Sequence, residues 1–76
     1  MSELQNMKYK ANEQIEELIK RNIFKKEWDI KIITISTQDF LYIDCDTSKV
    51  SIKVVKELCR QHMSRDLIYK LTTLIN

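Results

Sequence analysis

The chain has 76 residues, 32% charged and 43% hydrophobic, with 13 basic and 11 acidic side chains and a net charge of +2. That length gives room for one domain, 1–76, and the balance of apolar and charged residues excludes a disordered chain and a fibre. With no Gly and no Pro, the sequence excludes glycine-rich phosphate loops, whose backbone must approach a ligand without a Cβ, and hairpin turns built on Asn-Gly or Asp-Gly.

No apolar run approaches the roughly 20 residues that span a bilayer, and Glu3, Glu13, Glu16 and Glu17 interrupt the N-terminal stretch, unlike a signal peptide. No membrane association is expected. Eleven Ile and ten Lys against one Ala point to an AT-rich genome, that of a low-GC bacterium or a phage. Cys45 and Cys59 are too few for a disulfide framework and lack metal-type spacing. Both sit among apolar neighbours as small hydrophobes, which fits a reducing, cytoplasmic compartment.

In chain order, residues 2–22 read as an amphipathic helix. Ser2 is a candidate N-cap, and Leu4, Met7, Ala11, Ile15, Leu18 and Ile19 recur at helical spacing. Glu, Lys, Gln and Asn make the opposite face, Gln14 interrupts a near-heptad stripe, and Asn22 stands where a terminating Gly is usual. Residues 28–36 (WDIKIITIS) and 40–46 (FLYIDCD) read as strands joined by a turn at Thr37, Gln38 and Asp39. Thr47 and Ser48 break the pattern. From about Ser51 the apolar residues return to helical spacing through Ile52, Val55, Cys59, Met63, Leu67, Leu71 and Leu74. One long helix to Ile75 fits, and Ser64 is a credible N-cap for a second helix if the first breaks there. Residues 49–55 also have strand character. The expected fold class is therefore α+β: an α-β-β-α domain with an antiparallel hairpin, an N-terminal amphipathic helix and a long C-terminal helix, continuous or broken at Ser64.

Strand alternation places Trp28, Ile30 and Ile32 on one face of the first strand, and Phe40 and Tyr42 together on one face of the second. Both faces of such a hairpin are substantially apolar, and a lone hairpin with two open edges is marginal in water. Self-association answers both needs. The expectation is a homodimer that joins two hairpins into a four-stranded sheet, with Trp28, Ile30, Ile32, Phe40 and Tyr42 at the dimer or partner interface.

Constellations that carry chemistry are sparse. Asp44 and Asp46, with Asp39, could hold Mg²⁺, but they read far better as acids guarding a sheet rim. Asp29-Ile30-Lys31 has the Asp-x-Lys spacing of some metal nucleases, without the larger sheet that such chemistry wants. His62 is the only histidine, and Cys59 lies three residues before it with no third group to orient the pair. The reading is a non-enzyme without cofactor, metal or small-molecule substrate.

Positive charge gathers in residues 49–76, where Lys49, Lys53, Lys56, Arg60, Arg65 and Lys70 face only Glu57 and Asp66. Lys49, Lys53, Lys56 and Arg60 recur along one side of a helix, a strip able to meet phosphates and also an ordinary solvated face. The string at residues 57–75, ELCRQHMSRDLIYKLTTLI, resembles the helix-turn-helix segments of small DNA-binding regulators, although the usual turn Gly is missing. The resemblance implies a recognition helix capped by Ser64, with Arg65, Asp66 and Lys70 near DNA and Ile68 and Leu71 packed inward. Two functions follow. The first is a small regulatory protein that dimerises and binds and modulates another protein; the second is a DNA- or RNA-binding regulator using the six basic residues. A protein partner is favoured over nucleic acid.

Overall fold

A computed structural model describes residues 3–35, 37 and 39–73. Ser2 as an N-cap, Ser36 and Gln38 near the hairpin turn, and Leu74 and Ile75 at the end of the expected helix lie outside the described residues. The fold class is α+β: helix α1 (Glu3–Lys20), strands β1 (Lys31–Thr34) and β2 (Leu41–Asp44), helices α2 (Ile52–His62) and α3 (Arg65–Ile68), and strand β3 (Leu71–Thr73).

Helix α1 buries Ala11, Ile15 and Leu18, the middle of the stripe seen in the sequence. It stops as expected at Asn22, which takes a left-handed φ of 62°. Ile23 N–H donates to the Leu18 carbonyl at 2.9 Å and Asn22 N–H to the Ile19 carbonyl at 3.0 Å. This is the paired C-terminal motif normally built on Gly, with Ile23 folding back onto the core. A single 3₁₀ turn, Lys26–Trp28, follows and is ended by Asp29, again left-handed at φ 52°. That is why the first strand begins at Lys31 and not at Trp28. Asn and Asp are the non-glycine residues that tolerate this region best.

Strands β1 and β2 pair antiparallel, with Lys31 opposite Asp44, Ile32 opposite Ile43, Ile33 opposite Tyr42 and Thr34 opposite Leu41. The expected long C-terminal helix does not form. Ser51 caps α2, its side chain accepting from Lys53 N–H at 3.2 Å. Met63 then turns extended (φ −96°, ψ 159°), with its side chain buried. Helix α3 is one turn, and the chain returns to the sheet as β3, parallel to β2. The third strand is thus Leu71–Thr73; residues 49–55 supply a turn, the Ser51 cap and the start of α2.

The sheet order is β1-β2-β3. Helix α1 packs against β1 and β2, and α2 against β2 and β3. One core joins Ala11, Ile15, Phe24, Ile32, Leu41, Ile43, Val55, Cys59 and Leu67. The break between α2 and α3 is held by α1: Gln14 donates to Ser64 Oγ and accepts from Ser64 N–H, both at 3.1 Å. Ser64 therefore sits at the N-cap position without a capping side-chain bond of its own.

Candidate functional site

Alternation along the central strands sends Ile32, Leu41 and Ile43 into the core and turns Ile33 and Tyr42, which stand opposite each other, to the other face. Ile35 is half-buried and Phe40 is 45% exposed. None of these four side chains belongs to the core cluster. Ile33 and Tyr42 lie on the sheet face turned away from the core, and continued alternation just beyond the strand ends sets Ile35 and Phe40 beside them as an apolar strip with charged groups at both ends. At one end Lys31 Nζ lies 3.8 Å from Asp44 and 3.9 Å from Asp29. At the other, Lys70 Nζ lies 2.9 Å from Asp39 Oδ2 and 5.8 Å from the centre of the Phe40 ring. Such half-exposed pairs contribute little to stability, on the order of 0–1 kcal/mol each, but they fix the charge pattern of the face.

The five apolar residues singled out in the sequence separate. Phe40 and Tyr42 lie on the helix-free face. Ile30 and Ile32 are buried on the helix side, because the register sets Ile32 against Ile43. Trp28 is part of the 3₁₀ turn, packed against the core with its ring 6.2 Å from that of Phe24. The strip is therefore Ile33, Ile35, Phe40 and Tyr42.

The edges of the hairpin are less open than expected: one is taken by a third strand and the other is capped in its middle. The outer edge of β2 is taken by β3. On β1 the Asn12 amide caps the middle of the edge, donating to the Ile32 carbonyl at 3.0 Å and accepting from Ile32 N–H at 2.9 Å. Joining two hairpins through β2 is blocked by β3, and on β1 the amide and carbonyl of Ile32 are already taken by Asn12. Asn12 belongs to the polar face read from the sequence and Gln14 interrupts its apolar stripe, yet both reach across to other elements. Their signal was position, beside the apolar stripe and not opposite it.

The six basic residues do not form one surface. Lys49, Lys53, Lys56 and Arg60 are exposed on α2 and the turn before it, and none of them forms an ion pair with a described residue. Arg65 is exposed at the start of α3. Lys70 is held by Asp39 at the end of the sheet. With α3 a single turn leading into β3, the helix-turn-helix resemblance finds no recognition helix able to lie along a major groove.

The three candidate metal carboxylates go to three different partners: Asp39 to Lys70, Asp44 to Lys31, and Asp46 to Ser48, whose N–H and hydroxyl it accepts at 3.0 and 2.6 Å. No metal-holding cluster of His, Cys, Asp or Glu occurs among the described residues. The Ser48 bonds, with Lys49 nearby, hold the Asp46 carboxyl below its ordinary range. Burial, reinforced by Asp44 and Asp46, raises the Cys45 thiol, and burial pushes Cys59 up to about 12. Both shifts disfavour the thiolate, the form a nucleophile or metal ligand requires. His62 is exposed at the end of α2. Compared with known protein families, curated proteins and solved structures, the chain matches none.

Proposed function

We propose that this is a non-catalytic interaction protein that self-associates through the helix-free face of its sheet and in that form binds and modulates another protein. The observation that carries the reading is the strip Ile33, Ile35, Phe40 and Tyr42, which lies outside the core on a face that no described helix packs against. A second copy suits it. One end of the strip carries Lys31 with Asp29 and Asp44 and the other Lys70 with Asp39, so a copy turned end for end about a two-fold axis can set Lys70 against the acidic end. Face-to-face packing replaces the edge-to-edge joining that Asn12 and β3 disfavour, and it adds burial to a chain with a small core.

Sedimentation equilibrium at about 10 to 100 μM, a range that resolves micromolar association, tests this. The wild-type chain is expected to be a dimer, and Phe40→Glu or Ile33→Lys a monomer with an unchanged far-UV spectrum. A wild-type monomer throughout that range overturns the reading.

A second reading, nucleic-acid binding through α2, is favoured by the run Lys53, Lys56 and Arg60, which forms no ion pair among the described residues. It predicts association with duplex DNA that falls steeply between about 50 and 200 mM salt. Loss of that binding in the triple Ala variant would support it.

A further inference from the structure

The two edges of the sheet are treated differently. Asn12 caps the middle of β1, whereas among the described residues no strand lies beyond β3. Leu41 N–H donates to the Lys70 carbonyl at 2.9 Å, and Leu41 stands opposite Leu71. In a parallel ladder this leaves the N–H and C=O of Leu71, and of Thr73 two residues on, pointing away from β2. Next to this edge a cleft of about 250 Å³ opens between α2 and the sheet, lined by Ile43, Ile68 and Leu71 and walled by Lys56 and Arg60. Leu71 is only half-buried, whereas its β2 neighbours Leu41 and Ile43 are fully buried. Among the described residues, then, none covers Leu71 at the position a fourth strand would occupy.

We propose that β3 accepts an extended acidic segment of a partner protein as that fourth strand. The segment bonds through its backbone to Leu71 and Thr73. Its helix-facing side chains alternate, one apolar group entering the cleft and acidic groups on either side meeting Lys56 and Arg60. Charge decides the occupant. Two β3 edges joined about a two-fold axis bring two Lys56–Arg60 pairs to one seam, where like charges repel. Nucleic acid offers phosphates to the cations but no alternating amide donors and acceptors to the strand. The proposal rests on the reading of the chain as an interaction protein, but it uses a surface separate from the self-association face.

The test is an amide-resolved NMR titration of the full chain with an acetylated, amidated heptapeptide in which Glu, Val and Glu alternate with Thr. A peptide with Lys in place of Glu is the control. The Glu peptide is expected to bind below about 1 mM, a weak but specific affinity. It should shift and protect the amides of Leu71 and Thr73. The Lys peptide should bind about tenfold more weakly, as two surface ion pairs would give. The double variant Lys56→Glu, Arg60→Glu reverses the preference, which a merely unfolded variant cannot do. No shift at Leu71 and Thr73 at millimolar peptide, or equal shifts with both peptides, overturns the proposal. Shifts there on concentrating the protein alone would assign the edge to a second copy and also overturn it. So would shifts with duplex DNA confined to Lys56 and Arg60, with none from the Glu peptide. A monomer that binds the Glu peptide sinks only the self-association reading. A dimer that ignores the peptide sinks only this one.

Discussion

Replacing Asn12 by Ala removes both hydrogen bonds to Ile32, at 2.9 and 3.0 Å, from a partly buried site. Each such bond contributes about 0.5–1.5 kcal/mol net, and water can re-solvate part of what is exposed at an edge. Ala also gains roughly 0.5 kcal/mol over Asn in a helix interior. The net expectation is a loss of about 1.5 kcal/mol, which in a chain of this size lowers Tm by roughly 6–12 °C. Thermal unfolding followed by circular dichroism measures it, and hydrogen exchange at the Ile32 amide localises it. Asn12→Asp separates the two bonds: a carboxylate keeps the Ile32 N–H and repels the Ile32 carbonyl, so that variant should regain stability as pH falls through the carboxylate range. A Tm change for Asn12→Ala below about 2 °C, worth only a few tenths of a kcal/mol, with unaltered exchange at Ile32, would refute the claim that Asn12 caps this edge.

Leu67→Ala should cost about 2–5 kcal/mol, the usual range for truncating a fully buried Leu, and denaturant unfolding measures it; a cost below about 1 kcal/mol would mean that α3 is not docked in the core. The Asp46 carboxyl is lowered, so its contribution is present above the ordinary carboxylate range and is lost only as pH falls through the folded value. An NMR titration should find its midpoint below that of a free Asp, and Ser48→Ala should raise it. An unchanged midpoint in Ser48→Ala would remove the hydroxyl as a cause. For Cys59 the sign is opposite: stability should fall as pH rises from the ordinary thiol value of 9.0 toward about 12, because only the unfolded chain ionises there. Near pH 8, iodoacetamide followed by mass spectrometry should label Cys45 before Cys59, whose thiolate fraction is only about 10⁻⁴. Equal rates would show α2 opening readily.

Much of the fold was legible because its signals are local. The α1 stripe, Asn22 as its terminator, the two strands and Ser64 as a break point all stand in short stretches of sequence. The third strand was hidden by the same logic. Val55, Cys59, Met63, Leu67 and Leu71 keep a four-residue spacing straight through the break, since each faces the core although the chain turns extended at Met63. Periodicity reports which side is buried and not whether the helix continues. In the candidate site, Phe40 and Tyr42 were visible from alternation. Which residues of the first strand share their face was not, because that depends on the pairing of Ile33 with Tyr42, a property of two strands together. The partners of Asn12 and Gln14 are main-chain groups and a serine far along the chain, which no spacing in the sequence announces.

The parallel pairing of β2 with β3 also orders the assembly of the sheet in time. Strands β1 and β2 meet across a short loop, whereas β3 reaches β2 only once residues 45–70 have been laid down as α2 and α3. Loop closure over that longer span is entropically dearer and comes later. By loop-closure entropy the three-residue strand is expected to be the final rung placed and the first released when the chain loosens.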